Sequence, residues 1–173
     1  MSRWSLEHRL FRETINDQKY VQILDLSYHE NNYIVTTDSA CKVPAVIAEI
    51  SSAEANNTFM EFMTTKMGPL WSLRQNVSVR DGQAFLCGDF TVRTGELRQG
   101  GGPNALLRGI VVEISWAGDA ENEGTEDNEE MIREFWNSME IKSANVKASV
   151  NLPGKVDRFR VVRQWSEVLR LRS

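Results

Sequence analysis

The alternation of apolar and polar residues is most regular between residues 70 and 116. In its last run, every second residue is apolar: Ile110, Val112, Ile114 and Trp116. Because successive side chains of a strand point to opposite faces, these four are predicted on the buried face. Val111, Glu113 and Ser115 then point to the solvated face. The run 90–93 alternates in the same way, so the stretch is predicted to form an antiparallel meander with one wet face.

Two turn signals divide this stretch. Asp81-Gly82 lies between the apolar runs 77–79 and 85–87, and Asp-Gly between alternating runs is a strong hairpin signal. The glycine run 100–104 separates the second apolar run from the third and predicts a flexible connection. Three strands joined by two turns are therefore expected here.

Shorter runs with strand character precede this stretch. Three of them are predicted as strands: Trp4–Leu10, Tyr20–Tyr28 and Tyr33–Thr37. The last two are expected to pair as a hairpin, because a turn-like polar cluster at 29–32 joins them. The run 43–47 contains Pro44, which permits an edge strand or a loop but not a central strand.

A helix is predicted to begin at Ser51, because Ser51 and Glu54 have the spacing of a capping box. Gly68-Pro69 ends it, since proline cannot continue the backbone hydrogen bonds of a helix. Its apolar residues recur at helical spacing on one face: Ala55, Phe59, Phe62, Met63 and Met67. That face is predicted to pack against the sheet rather than to line a ligand pocket.

Two more helices are predicted towards the C-terminus. The first has Glu129 and Glu130 in its first turn, where they face the positive end of the helix dipole. Its apolar face contains Met131, Ile132, Phe135, Trp136 and Met139. The second spans 155–172 and is basic and amphipathic. Its apolar side contains Val156, Phe159, Val162, Trp165 and Leu169. A membrane surface, a calmodulin-like partner or an acidic neighbour could each receive it, and packing on its own domain or on a protein partner is the favoured interpretation.

Composition and charge exclude several classes of protein. With 173 residues and 41% apolar residues, the chain is long enough for one domain with a real core. No signal peptide or membrane span is recognised in the sequence. Cys41 and Cys87 lack metal spacing and are predicted to be reduced, buried thiols of an intracellular protein. The net charge of −4 argues against nucleic acid binding by the whole surface.

No catalytic or metal-binding motif is present in the sequence. His8 and His29 have no second ligand at a metal-binding spacing, so ordinary structural positions are predicted for both. The glycine run 100–102 lacks the Lys-Ser/Thr of a phosphate-binding loop. Seven carboxylates between Asp119 and Glu130 do not fit the register of a calcium loop, which favours a solvated acidic loop.

The order of these features resembles a known family. The segments that carry the resemblance are Leu70–Gln75, Gly88–Arg93 ("GDFTVR") and Arg108–Ile114 ("RGIVVEI"), followed by an acidic gap and the aromatic helix around Phe135-Trp136. Together they resemble subunit 20 of the Mediator complex, particularly its fungal members. The resemblance is densest over 66–114 and extends more thinly from residue 4 to residue 139.

This resemblance implies an α+β fold, in which helices pack against an antiparallel β-barrel or strongly curved sheet. It further implies a non-enzymatic subunit of the nuclear Mediator head module, which supports transcription initiation by RNA polymerase II. The family pairs with Mediator subunit 18, which the C-terminal helix of subunit 8 holds to the head. No cofactor, metal, membrane or sequence-specific nucleic acid is implied.

The chain departs from the family pattern at both ends. The family has a further strand and helix before the position of Trp4, and a barrel without that strand is expected to have an unpaired edge and to aggregate alone. Residues 142–173 run beyond the resemblance and carry eight basic and two acidic residues. We therefore predict a single β-barrel domain over 1–141 and a basic C-terminal extension over 142–173.

Two other functions are compatible with a barrel. A triphosphate-tunnel phosphohydrolase would need inward-facing glutamates with Lys or Arg, which makes Glu49, Glu96, Glu113, Arg93 and Arg108 the diagnostic residues. A small-ligand-binding barrel would need an apolar cavity of about a few hundred Å³. For a subunit that binds proteins, large apolar side chains are the expected anchors. The candidates for partner binding are Trp71, Trp116, Phe159, Trp165 and Leu169.

Overall fold

The computed structural model describes residues 1–40, 45–52, 54–102, 104–116, 126–141 and 158–170. Its strands are β1 Ser2–Glu13, β2 Lys19–Leu26, β3 Asn32–Asp38, β4 Val46–Ile50, β5 Trp71–Cys87, β6 Phe90–Gln99 and β7 Leu106–Trp116. Its α-helices are α1 Glu126–Ser138 and α2 Arg158–Val168, and two π-helical segments span Glu54–Phe59 and Phe62–Lys66. The fold class is α+β, as predicted.

The seven strands form one strongly curved antiparallel sheet that does not close into a barrel. Their order is β4-β3-β2-β1-β5-β6-β7, so β4 and β7 are the two edges. Strand β1 is central and pairs with β2 on one side and β5 on the other. Among the described strands, the free edges therefore lie at β4 and β7, and the first strand is paired on both sides.

The inner face of the sheet, defined here as the face that packs against α2, contains the main core. Alternating residues of β1, β2, β3 and β5 supply it: Trp4, Leu6, Leu24, Leu26, Tyr33, Val35, Val77 and Val79. Helix α2 adds Val162, Trp165 and Leu169 to the same buried cluster. The predicted packing of the basic helix on its own domain is therefore confirmed. The predicted boundary at residue 142 falls outside the described residues and stays a prediction.

The outer face of the sheet is covered by the π-helical segments and by α1. Phe11, Val21, Ile23 and Met63 form a smaller buried cluster there. At the start of β6, the ring of Phe135 in α1 stacks on that of Phe90, and the two ring centroids are 4.4 Å apart. The two helices predicted to pack against the sheet therefore lie on the face opposite α2.

The predicted hairpin at Asp81-Gly82 is wrong, because both residues lie inside the continuous strand β5 and the turn comes at Gly88-Asp89. The indole ring of Trp4 explains the glycine. A Cβ placed on Gly82 would lie 2.4 Å from Trp4 Nε1, and one on Gly95 would lie 2.4 Å from Val79 Cγ1. Gly82 therefore leaves the space that the buried indole occupies, and Gly95 leaves the space for the Val79 side chain. The connection predicted at the glycine run 100–104 is confirmed between β6 and β7.

We expect the substitution Gly82→Ala to lower the free energy of unfolding by about 1–3 kcal/mol, because the buried Trp4 ring cannot move away without disturbing the core. Urea denaturation followed by tryptophan fluorescence measures this change. The matched control is Gly101→Ala, which meets no heavy atom within 4 Å and is expected to change stability by less than about 0.5 kcal/mol. Equal losses of unfolding free energy in Gly82→Ala and Gly101→Ala would contradict the close packing of the Trp4 ring against Gly82.

The predicted orientation of β7 is also wrong. Val111 is buried on the inner face together with the half-buried Glu113, whereas Ile110 is 71% exposed on the outer face. Val112 and Ile114 are only half-buried. The alternation is as predicted, but the face that carries Glu113 points to the inside, because Glu113 accepts hydrogen bonds there.

Three smaller predictions have mixed outcomes. Ser51 and Glu54 pair as predicted at the start of the helical region: the Glu54 amide donates to Ser51 Oγ at 3.3 Å, and the Ser51 hydroxyl donates to Glu54 Oε2 at 2.6 Å. Phe62, predicted on the packed face, is instead exposed. The Met67 amide donates to the Phe62 carbonyl at 3.0 Å, five residues back, and this wider winding rotates the faces of the segment relative to an α-helix.

Cys87 is exposed rather than buried, and Cys41 and the acidic loop 117–125 lie outside the described residues.

Candidate interaction site

Helix α2 is held inside the curved sheet by polar contacts at both ends and in the middle. Near its start, Arg158 Nε lies 2.6 Å from Glu49 Oε1 on the edge strand β4. After its last turn, the Gln75 amide donates to the Leu169 carbonyl at 2.5 Å. In between, the Trp165 indole reaches the other edge strand at Glu113. One helix thus contacts both free edges and fills the space that a closed barrel would enclose.

The middle contact belongs to a group of four side chains, Tyr28, Arg93, Glu113 and Trp165, which we call the interior polar cluster. Glu113 Oε2 accepts from the Trp165 indole N–H at 2.7 Å and from the Tyr28 hydroxyl at 2.5 Å. Glu113 Oε1 accepts from Arg93 Nη1 at 2.5 Å. The Arg93 guanidinium also lies over the Tyr28 ring, 4.0 Å from its centroid. A single carboxylate therefore ties β6, the end of β2 and α2 to the edge strand.

The electrostatics of the cluster favour a neutral Tyr28 and a charged Arg93–Glu113 pair. Burial, and then the neighbouring Glu113 carboxylate, raise the pKa of the Tyr28 hydroxyl, so it remains a hydrogen-bond donor. The Arg93 and Glu113 side chains are only 19% and 14% exposed. Since a buried charge is costly without a partner, each of these two ions depends on the other.

The strand register explains how distant residues meet in this cluster. Arg93 on β6 is directly opposite Glu113 on β7, so both side chains point to the same face. Glu113 is the only charged residue in the run 109–116 of β7, and this was the available sequence signal. The contribution of Tyr28 and Trp165 could not be found in this way, because they lie 85 and 52 residues from Glu113.

The five residues predicted to bind a partner lie in three different places. Trp71 is half-buried against the outer cluster, and Trp116 is half-buried with its ring 5.1 Å from that of Phe90. Phe159 packs edge-on to Tyr33 at the rim of the inner core. Trp165 and Leu169 are 5% and 0% exposed. These last two could contact a partner only if α2 left the sheet.

The residues diagnostic of a phosphate-binding tunnel are not arranged as a ring. Of these five, Glu113, Arg93 and Glu49 point to the inside, and Glu113 and Arg93 bind each other. Glu49 faces Arg158, Glu96 is paired with Arg98 on the outer face, and Arg108 is exposed. Within the described ranges, no three His, Cys, Asp or Glu side chains are grouped as metal ligands would be. The space where a substrate would enter such a tunnel contains α2.

A groove of about 490 Å³ lies across β5, β6 and β7. Its lining is mixed, with charged side chains such as Arg80, Asp81, Glu96 and Arg98 beside Ile110. A site for a small apolar ligand would need mostly apolar walls. This groove is therefore better suited to a polar or charged ligand.

His8 is a buried titratable group in the centre of the inner core. Its Nε2–H donates to Gln22 Oε1 at 2.9 Å, and its buried Nδ1 has no hydrogen-bond partner among the described residues. Burial lowers the pKa of His8 from 6.5 to about 4, so the folded state holds the neutral ring while the unfolded chain takes up a proton below pH 6.5. The structural position predicted for His8 is confirmed.

We therefore expect stability to fall as the pH is lowered. The free energy of unfolding should change little above about pH 7 and decrease by about 2 kcal/mol between pH 7.5 and 5. In that window His8 takes up a proton in the unfolded chain but stays neutral in the folded state, so the proton stabilises the unfolded chain. Urea denaturation at several pH values measures this slope. The His8→Leu variant should lose most of the slope and His29→Gln should retain most of it. A slope unchanged in His8→Leu would contradict the assignment.

Comparisons with known proteins identify the family. In the described part of the chain, no helix is long and apolar enough to cross a membrane. No curated protein matches the chain. A family model described as "TATA-binding related factor (TRF) of subunit 20 of Mediator complex" matches residues 1–170, which include α2 as well as the whole sheet. The chain therefore belongs to the family of Mediator subunit 20, a family of structural subunits of the nuclear transcription machinery.

Proposed function

We propose that this protein is a non-catalytic subunit of the Mediator head module that pairs directly with Mediator subunit 18. Subunit 8, through its C-terminal helix, holds subunit 18 to the head, and the assembly contacts RNA polymerase II in the nucleus. Membership of the subunit 20 family is the observation that carries this proposal. The pairing itself is the expectation that the resemblance to that family implied.

The interior of the fold supports a non-catalytic role. Helix α2 fills the curved sheet, and the inward-facing Glu113 and Glu49 are each bound by an arginine of the same chain. An enzyme site needs a concave space in which a substrate can reach reactive groups. The groups that could react here are already bonded to each other, which leaves the outer surface and the sheet edges for function.

The test is affinity capture of the full-length tagged chain from nuclear extract, followed by quantitative mass spectrometry. We expect subunits 18 and 8 to be recovered at stoichiometries comparable to the chain. Recovery of soluble chain without Mediator subunits would overturn the proposal and make triphosphate hydrolysis the next assay. Capture with an unrelated tagged protein of similar size is the control for carry-over.

The partner surface can be mapped in the same experiment. Trp71 and Trp116 are half-buried aromatic side chains on the outer face, so we propose them, together with Phe159, as partner contacts. Trp71→Ala and Trp116→Ala should each reduce the recovery of subunit 18 by at least about fivefold if the residue is an anchor. Recovery unchanged in both variants would overturn this assignment without affecting the pairing itself. Thermal melts of each variant separate loss of binding from loss of fold.

A further inference from the structure

We propose that the exposed half of strand β7, residues 106–110, binds an extended peptide segment of a protein partner in which acidic side chains alternate with apolar ones. The segment would add to the sheet as a strand next to β7. This inference assigns a surface and a class of ligand that the pairing with subunit 18 does not require. Its test uses the chain alone, so the two proposals succeed or fail separately.

The backbone of this half-strand is available for pairing. β7 is the last strand in the sheet order and, among the described strands, pairs with β6 alone. All five residues from 106 to 110 are exposed, whereas residues 111–116 are buried or half-buried. A free strand edge presents unpaired N–H and C=O groups, which an extended peptide can bind by strand addition.

The side chains of the same half-strand form an apolar surface. Leu106, Leu107 and Ile110 are 61%, 49% and 71% exposed. Leu107 is opposite Arg98 and Ile110 is opposite Glu96, two residues apart on β6, so Leu107 and Ile110 share a face. This is possible because the pairing of β6 and β7 shifts register there and leaves Arg108 as the extra residue. Adjacent exposed aliphatic residues of this kind are typical of an interaction surface.

The charges around the half-strand select an acidic partner. In the neighbouring groove Glu96 is paired with Arg98 at 2.6 Å, and Asp81 lies 3.6 Å from Arg3. Arg80, which lines the groove, and Arg108, on the strand itself, have no ion pair within the described ranges. Uncompensated positive charge is thus concentrated at this edge of a chain whose net charge is −4. Electrostatic complementarity favours an acidic ligand and disfavours a basic one.

The first experiment measures binding of fluorescein-labelled peptides to the full-length chain by fluorescence anisotropy. The probes are a peptide of about seven alternating Asp and Val residues and its twin with Lys in place of Asp. We expect saturable binding of the Asp peptide and at least about tenfold weaker binding of the Lys twin. No saturation up to about 1 mM, or equal binding of the twins, would overturn the proposal.

Strand addition is tested by methylating the peptide backbone nitrogens. Alternate N–H groups of an extended peptide point to opposite sides, so methylation of the odd or of the even residues blocks only one side. We expect one methylated Asp peptide to lose at least about tenfold in affinity and the other to bind nearly as well as the parent. Equal behaviour of the two methylated peptides would overturn the strand-addition geometry.

The location is tested with surface variants that are expected to fold. Arg108→Glu and Ile110→Asn should each weaken binding of the Asp peptide by at least about fivefold, because both side chains are exposed at the proposed site. The control is Arg74→Glu, an exposed arginine elsewhere on β5, which should change affinity by less than about twofold. Equal loss in Arg108→Glu and Arg74→Glu, with no loss in Ile110→Asn, would reduce the effect to net charge and overturn the site. Tighter binding of an oligo-dT strand, lost in Arg108→Glu, would make the edge a nucleic acid contact and likewise overturn it.

Discussion

The Glu113→Ala variant is expected to lose about 3 kcal/mol of unfolding free energy. Its carboxylate accepts hydrogen bonds from Tyr28, Arg93 and Trp165, and its removal leaves the Arg93 charge largely buried without a counter-ion. Breaking a buried pair by deleting one partner costs much more than the pair's net contribution, because the remaining ion stays desolvated. Urea denaturation at pH 7.5, followed by circular dichroism, measures the change.

Three variants separate the charge from the hydrogen bonds. Glu113→Gln retains an acceptor and should lose less than Glu113→Ala. The double variant Arg93→Met/Glu113→Leu removes both charges and should be more stable than the sum of the single losses predicts. Glu96→Ala breaks the exposed pair with Arg98 and should cost less than about 1 kcal/mol. If Glu96→Ala destabilised the protein as much as Glu113→Ala, burial of the Arg93–Glu113 pair would not be the reason for the large loss of stability in Glu113→Ala.

The Trp165→Ala variant is expected to lose about 3–5 kcal/mol, because the indole is 5% exposed in the inner core and its removal leaves a cavity between α2 and the sheet. Trp4, whose ring centroid is 6.0 Å from that of Trp165, would lose its packing partner. The same denaturation experiment measures this loss, and tryptophan fluorescence should report a changed environment of Trp4.

The Trp165→Phe variant is the matched control for volume. It keeps an aromatic ring in the core but removes the N–H that donates to Glu113, so a loss of about 1–2 kcal/mol is expected. A loss of less than about 1 kcal/mol in Trp165→Ala would show that α2 does not contribute to the stability of the sheet. In that case Trp165 and Leu169 would become available as the partner contacts that the sequence suggested.

Helix α2 shares the main hydrophobic core of the sheet. The basic charge of residues 142–173 suggested an appended extension, whereas the structure places the apolar side of α2 in the same core as β1, β2, β3 and β5. A sheet with two free edges is a hazard for aggregation. By contacting Glu49 on β4 and Glu113 on β7, α2 ties both edges to the core and leaves one half-strand exposed.

The two errors in the meander have one physical origin. Asp81-Gly82 is a strong local signal for a turn, but the glycine is present because the Trp4 indole lies against it, 78 residues away along the chain. The predicted alternation of β7 is present, but its aliphatic set, which includes Ile110, lies on the outer face. Glu113 lies inside because Tyr28, Arg93 and Trp165 supply its hydrogen bonds there. In both cases a contact with a distant residue decides what the local pattern leaves open.

The local elements were predictable from the amino-acid pattern alone: the strands, through a period of two; the start of the helical region, through Ser51 and Glu54; and the basic amphipathic character of the last helix. These follow from interactions within a few residues, so they can be read along the chain. The order of the key strand segments also indicated the family. The buried face of β7, the positions of the free edges and the place of α2 became known from the three-dimensional fold. Those features depend on hydrogen bonds and packing between residues distant in sequence, which no local pattern specifies.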